Sequence, residues 1–167
     1  MLVGIMGRQG SGKTLLMSLL VQIIHQKTGL PIFANYKSLR NANYINKISQ
    51  IWGLNSAIFC FDEIWLTLDS RSFRDNLELT RWINQVRKKG IITFYTTQHI
   101  NQVDLRVRNA TDILIYCEKN PKNSNERIYT FVDYQYKQIG KKCSLNQIEK
   151  LFYLYNSYET LEPITAK

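Results

Sequence analysis

Gly7-Arg8-Gln9-Gly10-Ser11-Gly12-Lys13-Thr14 is the stretch on which the fold turns. It fits the spacing G-x-x-x-x-G-K-[ST] and lies between a short apolar run, Leu2 to Met6, and a long one from Thr14 to Thr28. The first run suits a buried parallel strand. The second suits a helix buried on most sides, stopped by Gly29 and Pro31. Between them the glycines permit positive φ, so successive backbone N–H groups can turn inward, and the helix N-terminus adds partial positive charge. A loop of this kind is shaped for phosphate. The spacing expects all eight residues to wrap it, with Lys13 reaching β- and γ-phosphates and the Thr14 hydroxyl taking Mg²⁺.

Working outward, Ile32 to Ala34 reads as a second strand, and Asn35 to Asn55 as a polar, Asn-rich loop around a short helix. Ala57 to Phe61 is a continuous apolar strand. Asp75 to Lys89 reads as a helix whose Leu79, Trp82, Ile83 and Val86 share one face, with Gly90 ending it. Ile91 to Thr97 is a β-branched and aromatic strand. Val103, Val107 and Ala110 suggest a short helix before the strand Ile113 to Cys117. Asn120 to Glu126 reads as a turn, and Arg127 to Val132 returns antiparallel. Ser144 and Gln147 have the spacing of a capping box opening a last helix, with Leu145, Ile148, Leu151 and Phe152 inward. Alternating strands and helices predict an α/β domain with a mainly parallel sheet over residues 1–160 and a loose tail at 161–167.

In such sheets ligands sit beyond the carboxyl ends of the strands, where Gly7, Asp62 and Gln98 all fall. Phe59-Cys60-Phe61-Asp62-Glu63 is an apolar strand delivering two acids. Beside a phosphate loop, Asp62 is expected to hold Mg²⁺ and Glu63 to polarise the attacking water. Adjacent acids after a strand are otherwise common loop starters. Thr96-Thr97-Gln98 ends a strand with a neutral amide able to bond both a γ-phosphate and a water.

Composition narrows the field. The 167 residues are 44% hydrophobic and 21% charged, an ordinary globular balance. The formal charge of +9 favours a polyanionic partner, nucleic acid or an acidic membrane surface, over plain solvated charge. Cys60, Cys117 and Cys143 lack metal-ligand spacing; Cys60 and Cys117 sit in apolar runs and read as core thiols of a reducing, cytoplasmic compartment. His25 and His99 are isolated. No apolar stretch approaches the roughly 20 residues of a membrane span, and no signal peptide precedes the first strand. Tyr134, Tyr136, Tyr153, Tyr155 and Tyr158 either stack on bases or, more commonly, pack a sheet and a terminal helix.

With these residues assembled, the chain resembles the FtsK–HerA superfamily of DNA-pumping ATPases. Within it, the likeness is to small genome-packaging ATPases of tailless viruses and to zonula occludens toxin-like phage assembly ATPases. The match runs from Val3 to about Glu118 and at most to Tyr155-Asn156-Ser157-Tyr158-Glu159. Besides the phosphate loop and Asp62–Glu63, it rests on Leu68-Asp69-Ser70-Arg71, Gln85-Val86-Arg87-Lys88-Lys89-Gly90, Thr96-Thr97-Gln98 and the segment Val103 to Asp112. The resemblance implies a P-loop NTPase of the RecA/ASCE-like kind: a three-layer sandwich with a mainly parallel central sheet and a C-terminal antiparallel hairpin. It implies ATP and Mg²⁺, catalytic roles for Lys13, Glu63 and Gln98, and an arginine supplied by a neighbouring subunit. Arg87 and Arg71 lead the candidates, with Arg108 behind them. It further implies DNA held without base specificity by Lys88, Lys89, Arg106, Lys119 and Lys122, a ring of five or six subunits, and docking to capsid or portal-vertex proteins. The rival readings are a virion-assembly or secretion ATPase, a small-molecule kinase, and a structural subunit that merely keeps its nucleotide.

Overall fold

Period-two burial organises the molecule, and the strand Ile58–Phe61 (β4) displays it most clearly. Ile58 and Cys60 join one apolar cluster while Phe59 and Phe61 join another, because successive side chains point to opposite faces. The computed structural model describes residues 1–66, 77–156, 158–162 and 164; the side chains of residues 48 and 77–80 are likewise outside the description.

The other strands are Leu2–Met6 (β1), Ile32–Ala34 (β2), Ala42–Tyr44 (β3), Ile92–Thr97 (β5), Ile113–Asn120 (β6), Asn123–Asp133 (β7) and Gln138–Leu145 (β8). They form one eight-stranded sheet in the order β3-β2-β4-β5-β1-β6-β7-β8. Pairing is parallel from β3 through β6 and antiparallel for β6–β7 and β7–β8. The helix Lys13–Thr28 (α1) packs Leu16, Met17 and Val21 onto one face of the sheet. The helices Leu77–Gln85 (α2) and Leu105–Ala110 (α3) place Trp82, Ile83 and Val107 on the other. This is the expected three-layer sandwich with its antiparallel C-terminal hairpin. Gly4 faces the second layer, where an added Cβ would come within 2.6 Å of the Tyr95 hydroxyl; the missing side chain makes room for that ring.

Several expectations need correction. α1 is deeply buried over its first two turns, but Ile23 is 39% exposed. The helix expected over Asp75–Lys89 stops at Gln85, and Val86 to Gly90 form turns, with Gly90 at φ 65°. Asp75 and the side chain of Leu79 lie outside the described residues. The Asn-rich segment hides β3, an edge strand of Ala-Asn-Tyr without apolar alternation, and Asn43 Nδ2 donates to the Ile32 carbonyl at 3.1 Å. The turn expected over Asn120–Glu126 shrinks to Pro121–Lys122, because β7 begins at Asn123.

Ser144 caps no helix. It pairs with Ile128 inside β8, which runs on to Leu145. Gln147 stands at φ 55° without a side-chain cap, and the last helix is a 3₁₀ helix, Ile148–Leu154. Three residues per turn align 148, 151 and 154, not 148 and 152. Ile148 and Leu154 are therefore buried, Leu151 is half-buried and Phe152 is exposed. Of the tail expected to be loose, Leu161 packs partly against one cluster and Ile164 is buried in the other. Cys60 and Cys117 are buried free thiols, as expected. No helix among the described residues is long and apolar enough to cross a membrane.

Candidate functional site

The phosphate loop joins β1 to α1 across the carboxyl rim of the parallel strands. Gly10 and Gly12 take φ of 70° and 92°, the left-handed region that costs a side-chain-bearing residue most. Gly12 is also hemmed in from behind: an added Cβ would lie 3.1 Å from Arg127 Cγ and 3.2 Å from the Tyr129 hydroxyl, both on β7. At Gly7 the same atom would meet the Cys117 carbonyl at 2.4 Å.

Asp62, just past the end of β4, is the centre of a dense polar knot. Thr14 Oγ1 lies 2.8 and 3.0 Å from its two carboxylate oxygens, and Thr96 Oγ1 donates to Oδ1 at 2.6 Å. Its backbone is clamped by Asn35, just past the end of β2. The Asp62 N–H donates to Asn35 Oδ1 at 2.7 Å, and Asn35 Nδ2 donates to the Asp62 carbonyl at 2.9 Å. Burial pushes the Asp62 carboxyl above its ordinary range, while the bonds from Thr96 and Thr14 pull the other way.

Glu63 adopts φ 47°, rare for a residue with a side chain and of the kind that gathers at functional sites. Its N–H donates to Thr96 Oγ1 at 2.8 Å. One carboxylate oxygen lies 3.5 Å from Lys13 Nζ, and the other accepts from Trp65 Nε1 at 2.5 Å. Lys13 is buried, with its ammonium also 3.5 Å from the Arg8 carbonyl.

A cavity of about 460 Å³ opens between these groups. Gln9, Gly10, Lys13, Thr14, Asp62, Glu63 and Gln98 line it, so loop, acids and strand-end amide meet in one space. Gln9 and Gln98 also face an adjoining cavity of about 590 Å³, together with Gly7, Arg8, Ser11 and Lys119. The donor set fits Mg²⁺, since a hydroxyl and a carboxylate oxygen are hard ligands already in register. Among the described residues no cluster of three or more His, Cys, Asp or Glu could hold a metal on its own, so phosphate and water oxygens would complete the shell.

The remaining expected residues fall elsewhere. Arg87 pairs with Asp112, whose other oxygen accepts from the Leu2 N–H at 2.8 Å, so Arg87 stands at the opposite end of β1 from the phosphate loop. Its side chain is 66% exposed. Arg71 and the Leu68-Asp69-Ser70-Arg71 motif lie outside the described residues. Arg108 donates to Asn101 Oδ1 at 3.1 Å. Of the expected DNA contacts, Lys88 and Lys122 are exposed, Lys89 donates to the Trp52 carbonyl, and Arg106 pairs with Asp104 at 2.6 Å. Lys119 is exposed beside the loop: its Nζ would lie 3.1 Å from a Cβ on Gly10.

Sequence reasoning does not assign Asn35, Thr96 or Trp65. For Asn35 and Thr96 a signal is there: both sit at carboxyl ends of strands, where ligand-side chemistry collects.

No protein-family model matches this sequence, and no curated protein matches it. Solved structures do. The N-terminal domain of zonular occludens toxin from Neisseria meningitidis superposes with a TM-score of 0.66 at 19% identity, covering 93% of this chain and 98% of that one. The genome packaging NTPase B204 from Sulfolobus turreted icosahedral virus 2, in complex with ATP-gammaS, gives 0.63 at 12% identity over 84% and 95%. A DnaB-like replicative helicase gives 0.60 at 10% identity, over 87% of this chain and 54% of the longer helicase. At these identities the likeness is one of fold, and that fold is the P-loop NTPase fold which the motifs imply.

Proposed function

We propose that the chain is a Mg²⁺-dependent ATPase that moves DNA, working as a subunit of a viral genome-packaging motor. The observation that carries the nucleotide half of this reading is the convergence of Lys13, Thr14, Asp62, Glu63 and Gln98 on one cavity. Lys13 binds the β- and γ-phosphates, and the loop amides from Gly7 to Thr14 wrap them. Thr14 and Asp62 are the residues that would hold Mg²⁺, which when bound neutralises phosphate charge. Glu63 orients and deprotonates the attacking water, with its backbone N–H tied to the Thr96 hydroxyl near the end of β5. A γ-phosphate on Lys13 draws that ammonium away from Glu63 and leaves the carboxylate for water. Gln98 senses whether the γ-phosphate is present. An arginine from a neighbouring subunit of a pentameric or hexameric ring completes the site; Arg87, exposed at the far end of the strands, and Arg71 are the candidates.

The DNA half is supported by the +9 charge, by exposed Lys88, Lys119 and Lys122, and by the fold shared with a packaging NTPase. Such contacts track phosphates and not base edges. Capsid or portal-vertex proteins would dock the ring, in a host cytoplasm or virion. A virion-assembly or secretion ATPase is the second reading, favoured by the still fuller coverage of the zonular occludens toxin domain.

ATP hydrolysis measured with and without DNA, beside a sizing measurement, tests the proposal. Stimulation by DNA in a ring-sized species supports it. Turnover indifferent to DNA, with flotation on anionic vesicles, selects the second reading. DNA binding that ignores ionic strength contradicts a phosphate-tracking motor.

A further inference from the structure

The cavity has a second wall, built from the stretch Tyr155 to Glu159 at which the resemblance ends. The 3₁₀ helix Ile148–Leu154 packs against α1 and is tied down where the Arg40 N–H donates to the Leu154 carbonyl at 3.4 Å; the chain then runs on as a strap. It continues through Tyr155 and Asn156 to Glu159 and Leu161, and all four line the same 460 Å³ cavity as the phosphate loop. The Glu159 carboxylate accepts from the Ser38 N–H at 2.8 Å and from the Lys37 N–H, which fastens the strap to the loop after β2.

Those bonds leave Glu159 chemically usable. A carboxylate offers about four lone-pair positions, and the two N–H groups take two of them. Burial pushes its carboxyl up, but the bonds from Ser38 and Lys37 outweigh that effect and hold it below the usual range. It is therefore an anion at neutral pH, in a cavity that the phosphate loop also lines. Phosphate and carboxylate repel, so a nucleotide held by Lys13 must turn an uncharged, hydrogen-donating part toward Glu159. The ribose 2′,3′-diol is such a part, with two hydroxyl donors spaced for one carboxylate, the pairing that acidic residues make with ribose in dinucleotide-binding folds.

Accepting the nucleotide reading of the site, we propose that Glu159 binds the ribose hydroxyls of the nucleotide, making the C-terminal strap its sugar-selective wall. Tyr155, half-buried and near Asp62 and Arg127, lines the same cavity.

Binding to the full chain is measured for three magnesium-loaded probes: ATP, 2′,3′-dideoxy-ATP and inorganic tripolyphosphate. Wild type should prefer ATP over the dideoxy nucleotide by about tenfold or more, as expected for two hydrogen bonds to a charged acceptor. Glu159→Ala should bring the two within about twofold while leaving tripolyphosphate binding unchanged. Glu159→Gln keeps one acceptor oxygen, so one of the Lys37 and Ser38 N–H bonds survives and the strap is held better than in the alanine variant, while the charge is lost; it should narrow the gap without touching tripolyphosphate. Equal binding of ATP and dideoxy-ATP by wild type overturns the proposal and leaves the nucleotide site standing. So does a full gap in both variants, or a loss of tripolyphosphate binding as large as that of ATP, which would make the strap a purely structural brace. Wild type that binds neither ATP nor tripolyphosphate sinks the nucleotide reading itself and this proposal with it.

Discussion

The parallel strands β1, β2, β4 and β5 deliver Gly7, Asn35, Asp62 and Gln98 to one rim, each at the point where its strand stops. The antiparallel edge and the strap act differently: Arg127, Tyr129 and Glu159 reach the same site sideways, from mid-strand or from the strap. On the rim, position in the chain and position in the site are the same fact, so chemistry can be read locally. At the edge, a residue serves the site only because the sheet and the strap bring it there.

Breaking the rim should have the largest effect. Lys13→Ala is expected to abolish ATP binding, whereas Glu63→Gln should bind ATP and lose turnover by about 10²–10⁴-fold. Single-turnover hydrolysis beside nucleotide binding separates the two; a Glu63→Gln protein with wild-type turnover removes the proposed base. Gly12→Ala comes next. It combines φ of 92° with contacts near 3.1 Å to Arg127, so it should disorder the loop and cost roughly 1–3 kcal/mol in a urea melt as well as nucleotide binding. An unaltered Gly12→Ala protein would show that β7 does not brace the loop.

Asn35→Ala tests the rim through its hidden member. Removing the amide leaves the Asp62 N–H and carbonyl unpaired in a buried place, at about 1–3 kcal/mol. Activity should fall along with stability, because the acids hang from that backbone.

What is legible in the sequence follows the same division. Gly7 to Thr14 and Asp62–Glu63 can be read because phosphate chemistry demands those residue types at fixed spacing, whatever surrounds them. Asn35 reads only as the start of a loop, since an amide that clamps another strand's backbone has no spacing of its own. The end of β8 reads as a helix start because Ser144 and Gln147 satisfy a local rule that the ladder with β7 overrides. Glu159 is named in the resemblance, but its place in the site is out of reach, being fixed by Lys37 and Ser38, 122 and 121 residues earlier.

Asp62 gives the comparison a pH dependence. Burial raises its carboxyl, so in the window between the ordinary carboxylate range and that raised value the folded chain holds a proton that the unfolded chain has lost. Stability of the ligand-free protein should therefore rise as pH falls into that window and decline as pH climbs out of it. Stabilisation by Mg²⁺ and nucleotide needs the ionised form and should run the opposite way. Melting temperatures across pH, with and without magnesium nucleotide, should cross; Asp62→Asn should flatten both curves and raise the ligand-free melting temperature by a few degrees, about 1 kcal/mol at this size. Parallel curves would mean that Asp62 is already ionised and paired without metal.

The smallest effect probes the strap. In a 3₁₀ helix Phe152 points to solvent and Leu154 inward, whereas an α-helix begun at Ser144 would have turned Phe152 to the core. Phe152→Ser should then change stability by no more than about 0.5 kcal/mol, as at an ordinary surface position. Leu154→Ala at the buried position should cost roughly 2–5 kcal/mol. A Phe152→Ser loss comparable to that of Leu154→Ala would return the segment to α-helical register. That rotation would also swing Tyr155 and Glu159, next along the chain, away from the cavity, so this modest measurement bears on the sugar wall as directly as on the helix.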